Sequence, residues 1–365
     1  MEKSQSILIF DGRGTFRKMT MKNNIRNQLL RTPVEDIRLR KNARIKDLVD
    51  CFNTIGGFSA ANLADAYNII MEMLEDTECL ILMSVTANIV ATGIRGLISD
   101  LIKRKMVDVI FTTGGSIDHD IAKSYAKYYC GTFDADDEML KEEEIHRLGN
   151  IFVPKENYGP LIEEKLHSFL DKALKIKDKW GCREILWEIG KQIPDENSIL
   201  RSAYLHKVPI YVPGFYDSAF GTHILTFNEK QRLKSGKTIL IDYSVDMKEL
   251  SNIFFSANKL GGIIVGGGIS KHHLIWWSQF KEGLDYAVYL TVAVEWDGSL
   301  SGARPREAIS WNKVKPSSRR TLVYSDATIT LPLICYAVYD TINENKLNLR
   351  KQNALKIINS SISIL

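Results

Sequence analysis

Glu307, Trp311 and Lys313 fall within seven residues of one another, just after two turns of small residues, Asp297-Gly298-Ser299 and Ser301-Gly302-Ala303. A lysine amine attacks carbonyl or imine carbon only when neutral, and an adjacent indole that excludes water favours that form. A carboxylate beside an aromatic face suits a cation carried on an apolar stem. The stretch therefore reads as a pocket for a flexible cationic ligand beside an amine nucleophile, although spacing alone equally allows a surface lysine. His272 and His273 open a helix. Adjacent helical residues do not face each other, so one of them suits a proton shuttle or ligand contact rather than half of a metal pair. There is no HExxH and no clustered Cys/His spacing, and no metal site is expected. No Ser-His-Asp or Cys-His signature is present.

Such residues need elements to position them. From Cys79 onward short apolar runs alternate with helical patterns. Strands are expected at 79–83, 107–111, 209–212, 238–241, 262–265, 286–294 and 321–324. Strand, helix and strand within about 35 residues make a βαβ unit, which implies a parallel sheet with right-handed crossovers. Ligands bind such sheets at the carboxyl ends of the strands. The loops there carry Asn88, Thr112-Thr113-Gly114-Gly115, Asp217, Gly266-Gly267-Gly268, Asp297 and Asp326. Each glycine loop is either a tight turn or a phosphate cradle at a helix start. Each aspartate is either a helix N-cap or a ribose ligand. Residues 120–205 read as mostly helical and charged; a helix is expected near 91–105, and a short one carrying Glu307, Trp311 and Lys313. The sequence divides into an N-terminal extension, 1–45, expected to be helical, a single large α/β domain, 46–343, and a C-terminal tail, 344–365.

Composition narrows the function classes. The chain has 365 residues, 45% of them hydrophobic and 25% charged, with a net charge of +4. No dense basic patch accompanies that charge, so nucleic acid is not an expected partner. The five cysteines are odd in number, widely spaced and without a CxxC pair, which suggests reduced thiols in a cytoplasmic protein. No signal-peptide pattern is visible, and no apolar run reaches the roughly 18 residues of a membrane helix.

Residues 297–313, DGSLSGARPREAISWNK, resemble the signature of the deoxyhypusine synthase family. So do GGGISKHH at 266–273, RLGNIFVPKENY at 147–158, DYAVYLTVAVEWDGS at 285–299 and VYSDATITLPL at 323–333. The resemblance covers roughly residues 40–342 and looks closer to archaeal members than to eukaryotic ones. It implies a Rossmann-like, mostly parallel sheet flanked by helices, in a cytoplasmic homotetramer with active sites between subunits. It implies NAD as cofactor and transfer of the aminobutyl group of spermidine, through an imine on an enzyme lysine, to a lysine of the translation initiation factor 5A precursor. By resemblance, Lys313 is the imine-forming lysine and His272 the histidine that contacts the polyamine. Glu307, Trp311, Gly298 and Ser299 line the polyamine site, with Asp118 and Thr222 nearby. Asn88, Thr113, Gly114, Gly115, Asp217, Gly267, Ala293, Asp297 and Asp326 match the NAD positions. Eukaryotic members carry aspartate where this chain has Thr222 and Leu300, and an acid where it has His119. Those departures leave open aminobutyl transfer to a free diamine, as in a homospermidine synthase, or a catalytically poor regulatory subunit.

Overall fold

The computed structural model describes residues 29–362 in full and, before them, the backbone of two strands, Ile7–Phe10 and Phe16–Met19. At its centre lies Cys79–Ser84, in which all six residues are buried. A strand apolar on both faces belongs inside a parallel sheet covered from both sides. The side chains divide with the period of two that a strand imposes. Cys79, Ile81 and Met83 enter one core, and Leu80 and Leu82 enter the other. Ile263 and Val265 separate from Leu260 and Ile264 in the same way.

The six-stranded sheet runs Val314–Tyr324, Leu284–Thr291, Lys259–Val265, Cys79–Ser84, Val109–Phe111, Ile210–Tyr211. Every adjacent pair is parallel. The chain starts in the middle, works outward to Ile210–Tyr211, then returns to the other side of Cys79–Ser84 and works outward again. This is the doubly wound order, and the crevice between Cys79–Ser84 and Lys259–Val265 is its switch point.

Helices cover both faces. Phe58–Glu75, Ile94–Lys103 and Ala327–Thr341 contribute Ile69, Ile98 and Ile334 to one core. Tyr243–Ser256, Gly268–Ser278 and Glu344–Ser361 contribute Phe254, Leu274 and Ile358 to the other. Each fully buried side chain of this kind contributes on the order of 1.5–3 kcal/mol.

Several local expectations are corrected. The described part of the N-terminal extension includes strands: Ile7–Phe10 and Phe16–Met19 pair antiparallel, as the β-branched and aromatic residues of ILIF favour. The stretch 120–205 is not mostly helical throughout. It contains a three-stranded antiparallel sheet of Tyr129–Cys130, Ile151–Pro154 and Ile145–Leu148. Its hairpin turns at Gly149-Asn150, where Gly149 takes φ +61°, the conformation a two-residue hairpin loop requires. The expected strand near 238–241 lies outside the main sheet, with Leu240–Ile241 paired to Lys179–Trp180. The expected helix at 91–105 is two helices, Ala87–Ala91 and Ile94–Lys103. The presumed loop 112–118 becomes helix at Gly114–Lys123. The C-terminal helix Glu344–Ser361 packs into the domain through Arg350, which is fully buried.

Candidate active site

Lys313 lies one residue before the strand Val314–Tyr324. Its backbone is fixed on both sides: its N–H donates to the Ala308 carbonyl at 2.9 Å, and its carbonyl accepts from Leu284 N at 3.1 Å. A helix does not carry Glu307, Trp311 and Lys313 together, as the spacing suggested. A single 3-10 turn, Glu307–Ile309, is followed by Asn312 at φ +54°, and that left-handed residue turns the chain into the strand. Lys313 is 8% exposed. Its Nζ lies 5.3 Å from the Trp311 ring centroid and 5.7 Å from that of Trp276. His272 stacks on Trp276 with centroids 5.8 Å apart and planes 26° apart. Burial, and then the Lys313 charge, hold the His272 imidazole below its usual range, so it is neutral at neutral pH. An amine, a neutral imidazole and two indoles thus converge. The composition is right for gripping a cation and for moving a proton away from an amine.

Trp276 is absent from the residues singled out by sequence. Its signal was its place four residues after His272 on one helix face. Lys271 is the other omission. It is buried, and its Nζ donates to the carbonyls of Leu300 at 2.6 Å and Ala303 at 2.8 Å. It also sits 4.4 Å from the Tyr289 ring centroid. Burial pulls its amine down to about 8, partly opposed by the charge of Glu307. Lys271 therefore pins the 292–303 segment to Gly268–Ser278. Two close approaches tighten the same junction. A Cβ on Gly267 would stand 2.2 Å from Ser301 Oγ, and one on Gly302 would stand 1.9 Å from the Val294 carbonyl. Glu307 itself is exposed.

A cleft of about 410 Å³ opens at the switch point, lined by Thr86, Asn88, Gly266, Thr291, Phe133 and Asp326 among others. It sits where an open α/β sheet takes a nucleotide. Asp326 caps Ala327–Thr341, accepting from Thr328 N at 2.7 Å, and stays exposed at the cleft. Gly268 opens its helix at φ +68° with no atom within 4 Å of where a Cβ would be, leaving room for a ligand to approach the backbone. Nearby, Ala293 N donates to Thr291 Oγ1 at 3.1 Å. Asp297, in the turn with Gly298 and Ser299, accepts from Ser299 N at 2.7 Å. These features fit a dinucleotide: an open helix N-terminus for phosphate and exposed carboxylates for ribose.

The remaining sequence candidates form a third group. Thr113 is the N-cap residue of Gly114–Lys123. A Cβ on Gly114 would stand 2.3 Å from Ser218 Oγ, and one on Gly115 would touch Ala87 at 3.0 Å. Asp118 is 1% exposed and caps Ala219–Lys234, accepting from Ala219 N at 2.9 Å, Phe220 N at 2.7 Å and Tyr158 Oη at 3.2 Å. Burial raises its carboxyl to about 6. Asp217 and Thr222 are exposed at the start of the same helix. Lys313 makes no contact with this group. It stands beside Leu284, at the start of Leu284–Thr291, whereas the cleft takes Leu290 and Thr291 from the end of that strand, and the eight residues between span roughly 25 Å.

A family model described as deoxyhypusine synthase matches residues 47–338. A protein from Sulfolobus acidocaldarius named "Probable deoxyhypusine synthase" is 50% identical over 85% of this chain and 97% of its own length. One of the same name from Picrophilus torridus is 48% identical over 85% and 97%. A crystal structure described as that of "a putative deoxyhypusine synthase from Entamoeba histolytica" superposes with a TM-score of 0.57 at 21% identity, covering 83% of this chain and 95% of that one. At that identity the superposition speaks for the fold alone. The family model and the sequence relatives carry the conclusion that this chain belongs to the deoxyhypusine synthase family.

Proposed function

We propose that the protein transfers the aminobutyl group of spermidine to a lysine of the translation initiation factor 5A precursor, with NAD as cofactor and Lys313 as the covalent carrier. The observation that carries this reading is the Lys313 amine buried between Trp311 and Trp276 beside a neutral His272. The switch-point cleft, with Asn88, Gly267, Ala293, Asp297 and Asp326, would hold NAD, which would supply the acceptance and return of a hydride. His272 takes the proton that Lys313 must lose before it can attack. The neutral amine adds to the oxidised carbon of the aminobutyl group, and the remaining diaminopropane departs. Trp311 and Trp276 flank the cationic stem, and Glu307 supplies a carboxylate near the opening. The acceptor lysine then displaces Lys313 from the imine, and reduction completes deoxyhypusine.

The second part of the reading concerns assembly. Thr113, Gly114, Gly115, Asp118, Asp217 and Thr222 form a group apart from Lys313 within one chain. A homotetramer in which the switch-point cleft and this group of one subunit face Lys313 of another unites them. The five thiols are free, as suits a reducing cytoplasm. Among the described residues no helix is long and apolar enough to cross a membrane.

The test is incubation with NAD, labelled spermidine and the factor 5A precursor. Label is expected on the factor with the native enzyme and none with Lys313→Ala. Label in homospermidine when putrescine is supplied, with none on the factor, would replace the acceptor in this reading. Equal labelling by Lys313→Ala would end it.

A further inference from the structure

Away from Lys313, the helices Gly159–Ile176 and Ala219–Lys234 pack against each other and bring together Glu163, His167 and His223. One carboxylate oxygen and one ring nitrogen from each histidine all lie within 4.8 Å of one another. Glu163 and His167 are four residues apart on one helix and share a face. His223 reaches them from the other helix, 56 residues later, a separation that hides the group from any search of sequence spacing.

We propose that Glu163, His167 and His223 bind a divalent transition-metal ion of the zinc class. The imidazoles are set as metal ligands usually are, with one ring nitrogen engaged by the protein and the other left for the ion. His167 Nε2 lies 3.2 Å from the His223 carbonyl and 3.1 Å from Thr226 Oγ1. That leaves Nδ1 turned toward Glu163, 4.0 Å from its Oε1. Nδ1 of His223 is buried with no hydrogen-bond partner, a polar atom without the compensation that burial normally demands. The protonation states suit ligation. Burial is the largest cause holding both imidazoles below their usual range. Glu163 is held below its own by the hydrogen bond from Lys230. Two nitrogens and one carboxylate select zinc-like ions over magnesium or calcium, which prefer oxygen alone.

Lys230 stands in the ion's place. Its Nζ is 2.7 Å from Glu163 Oε1 and 3.4 Å from His167 Nδ1. Its side chain is 56% exposed, so it can swing into solvent when an ion arrives. The ammonium is therefore a competitor for the same donors. An ion here would staple together two helices, the second of which begins three residues before Thr222.

The discriminating experiment is calorimetric titration of zinc chloride into the full chain after dialysis against a chelator, with magnesium as comparator. It is run on a Cys130→Ser background, because Cys130 is an exposed thiol. One zinc per chain is expected, with no magnesium binding and a zinc-dependent rise in Tm. His167→Gln and His223→Gln should each weaken binding at least tenfold. Lys230→Gln should tighten it, an effect that a merely structural cluster would not show. Circular dichroism checks that each variant is folded. Should either histidine variant fail to fold, the sign of the Lys230→Gln effect decides the matter. Absence of saturable zinc binding, binding that survives both histidine changes, or unchanged affinity in Lys230→Gln would overturn the proposal.

Discussion

At the scale of the residue, two indoles rather than one define the environment of Lys313. Trp311 stood out because it neighbours the lysine in sequence; Trp276 comes from another element and was not legible without the packing. Trp276→Leu removes one cationic contact and the stacking surface of His272. A cation–π contact is worth about 0.5–2 kcal/mol, so kcat/KM for spermidine should fall roughly 2- to 30-fold, as initial-rate kinetics would show. Titration supplies a second residue-level prediction. Burial lifts the Asp246 carboxyl from 3.8 to about 7, with Glu249 adding to the rise. The folded state then holds this proton more tightly than the unfolded chain does. The stability it contributes is fully present below about 3.8 and lost as pH rises through about 7. Asp246→Asn cannot ionise and keeps an oxygen for the Arg183 N–H that Asp246 now accepts at 3.2 Å. Its stability relative to the native protein should increase between pH 4 and pH 8 in denaturant unfolding. A constant difference across that range would count against the assignment.

At the scale of the element, the buried strands were readable because their two-sided apolar runs leave few alternatives. The hairpin at 145–154 was missed because its Gly149-Asn150 turn sits inside a charged stretch that resembles a solvated helix. The segment carrying Glu307, Trp311 and Lys313 reads as helix because nothing in its composition announces the left-handed Asn312. The last helix is the clearest case of a hidden tertiary role. Arg350 Nη1 donates to Asp108 Oδ2 at 2.5 Å, and Nη2 donates to the Lys105 carbonyl at 2.5 Å. Asp108 Oδ2 also accepts from Ile81 N at 2.8 Å. The final helix is thereby clamped to the central strand. Arg350→Met leaves Asp108 buried without its cation, and such changes cost about 3–5 kcal/mol. Urea unfolding should show a loss of that order. A loss below about 1 kcal/mol would mean that the helix is held by its apolar face alone.

At the scale of the whole molecule, the doubly wound order explains why residues from so many segments meet at one edge of the sheet. The alternation of strand and helix made the parallel sheet legible, and with it the switch-point cleft. The separation of Lys313 from Asp217 and Thr222 was not legible, since the last strand was expected to begin at 321, whereas it begins at Val314, directly after Lys313. If subunits complete one another's sites, two inactive variants should rescue each other. Mixed tetramers of Lys313→Ala with Asp217→Ala should recover a measurable fraction of native activity, while either variant alone stays inactive. Absence of recovery in verified mixed tetramers would place the whole site within one chain. The central claim is that Lys313 carries the aminobutyl group. It is tested most directly by incubating the enzyme with NAD and labelled spermidine, without acceptor, trapping with cyanoborohydride, and mapping the label by peptide mass spectrometry. The aminobutyl group is predicted on the peptide containing Lys313 and nowhere in Lys313→Ala; label on another lysine, or unchanged labelling in that variant, would contradict it.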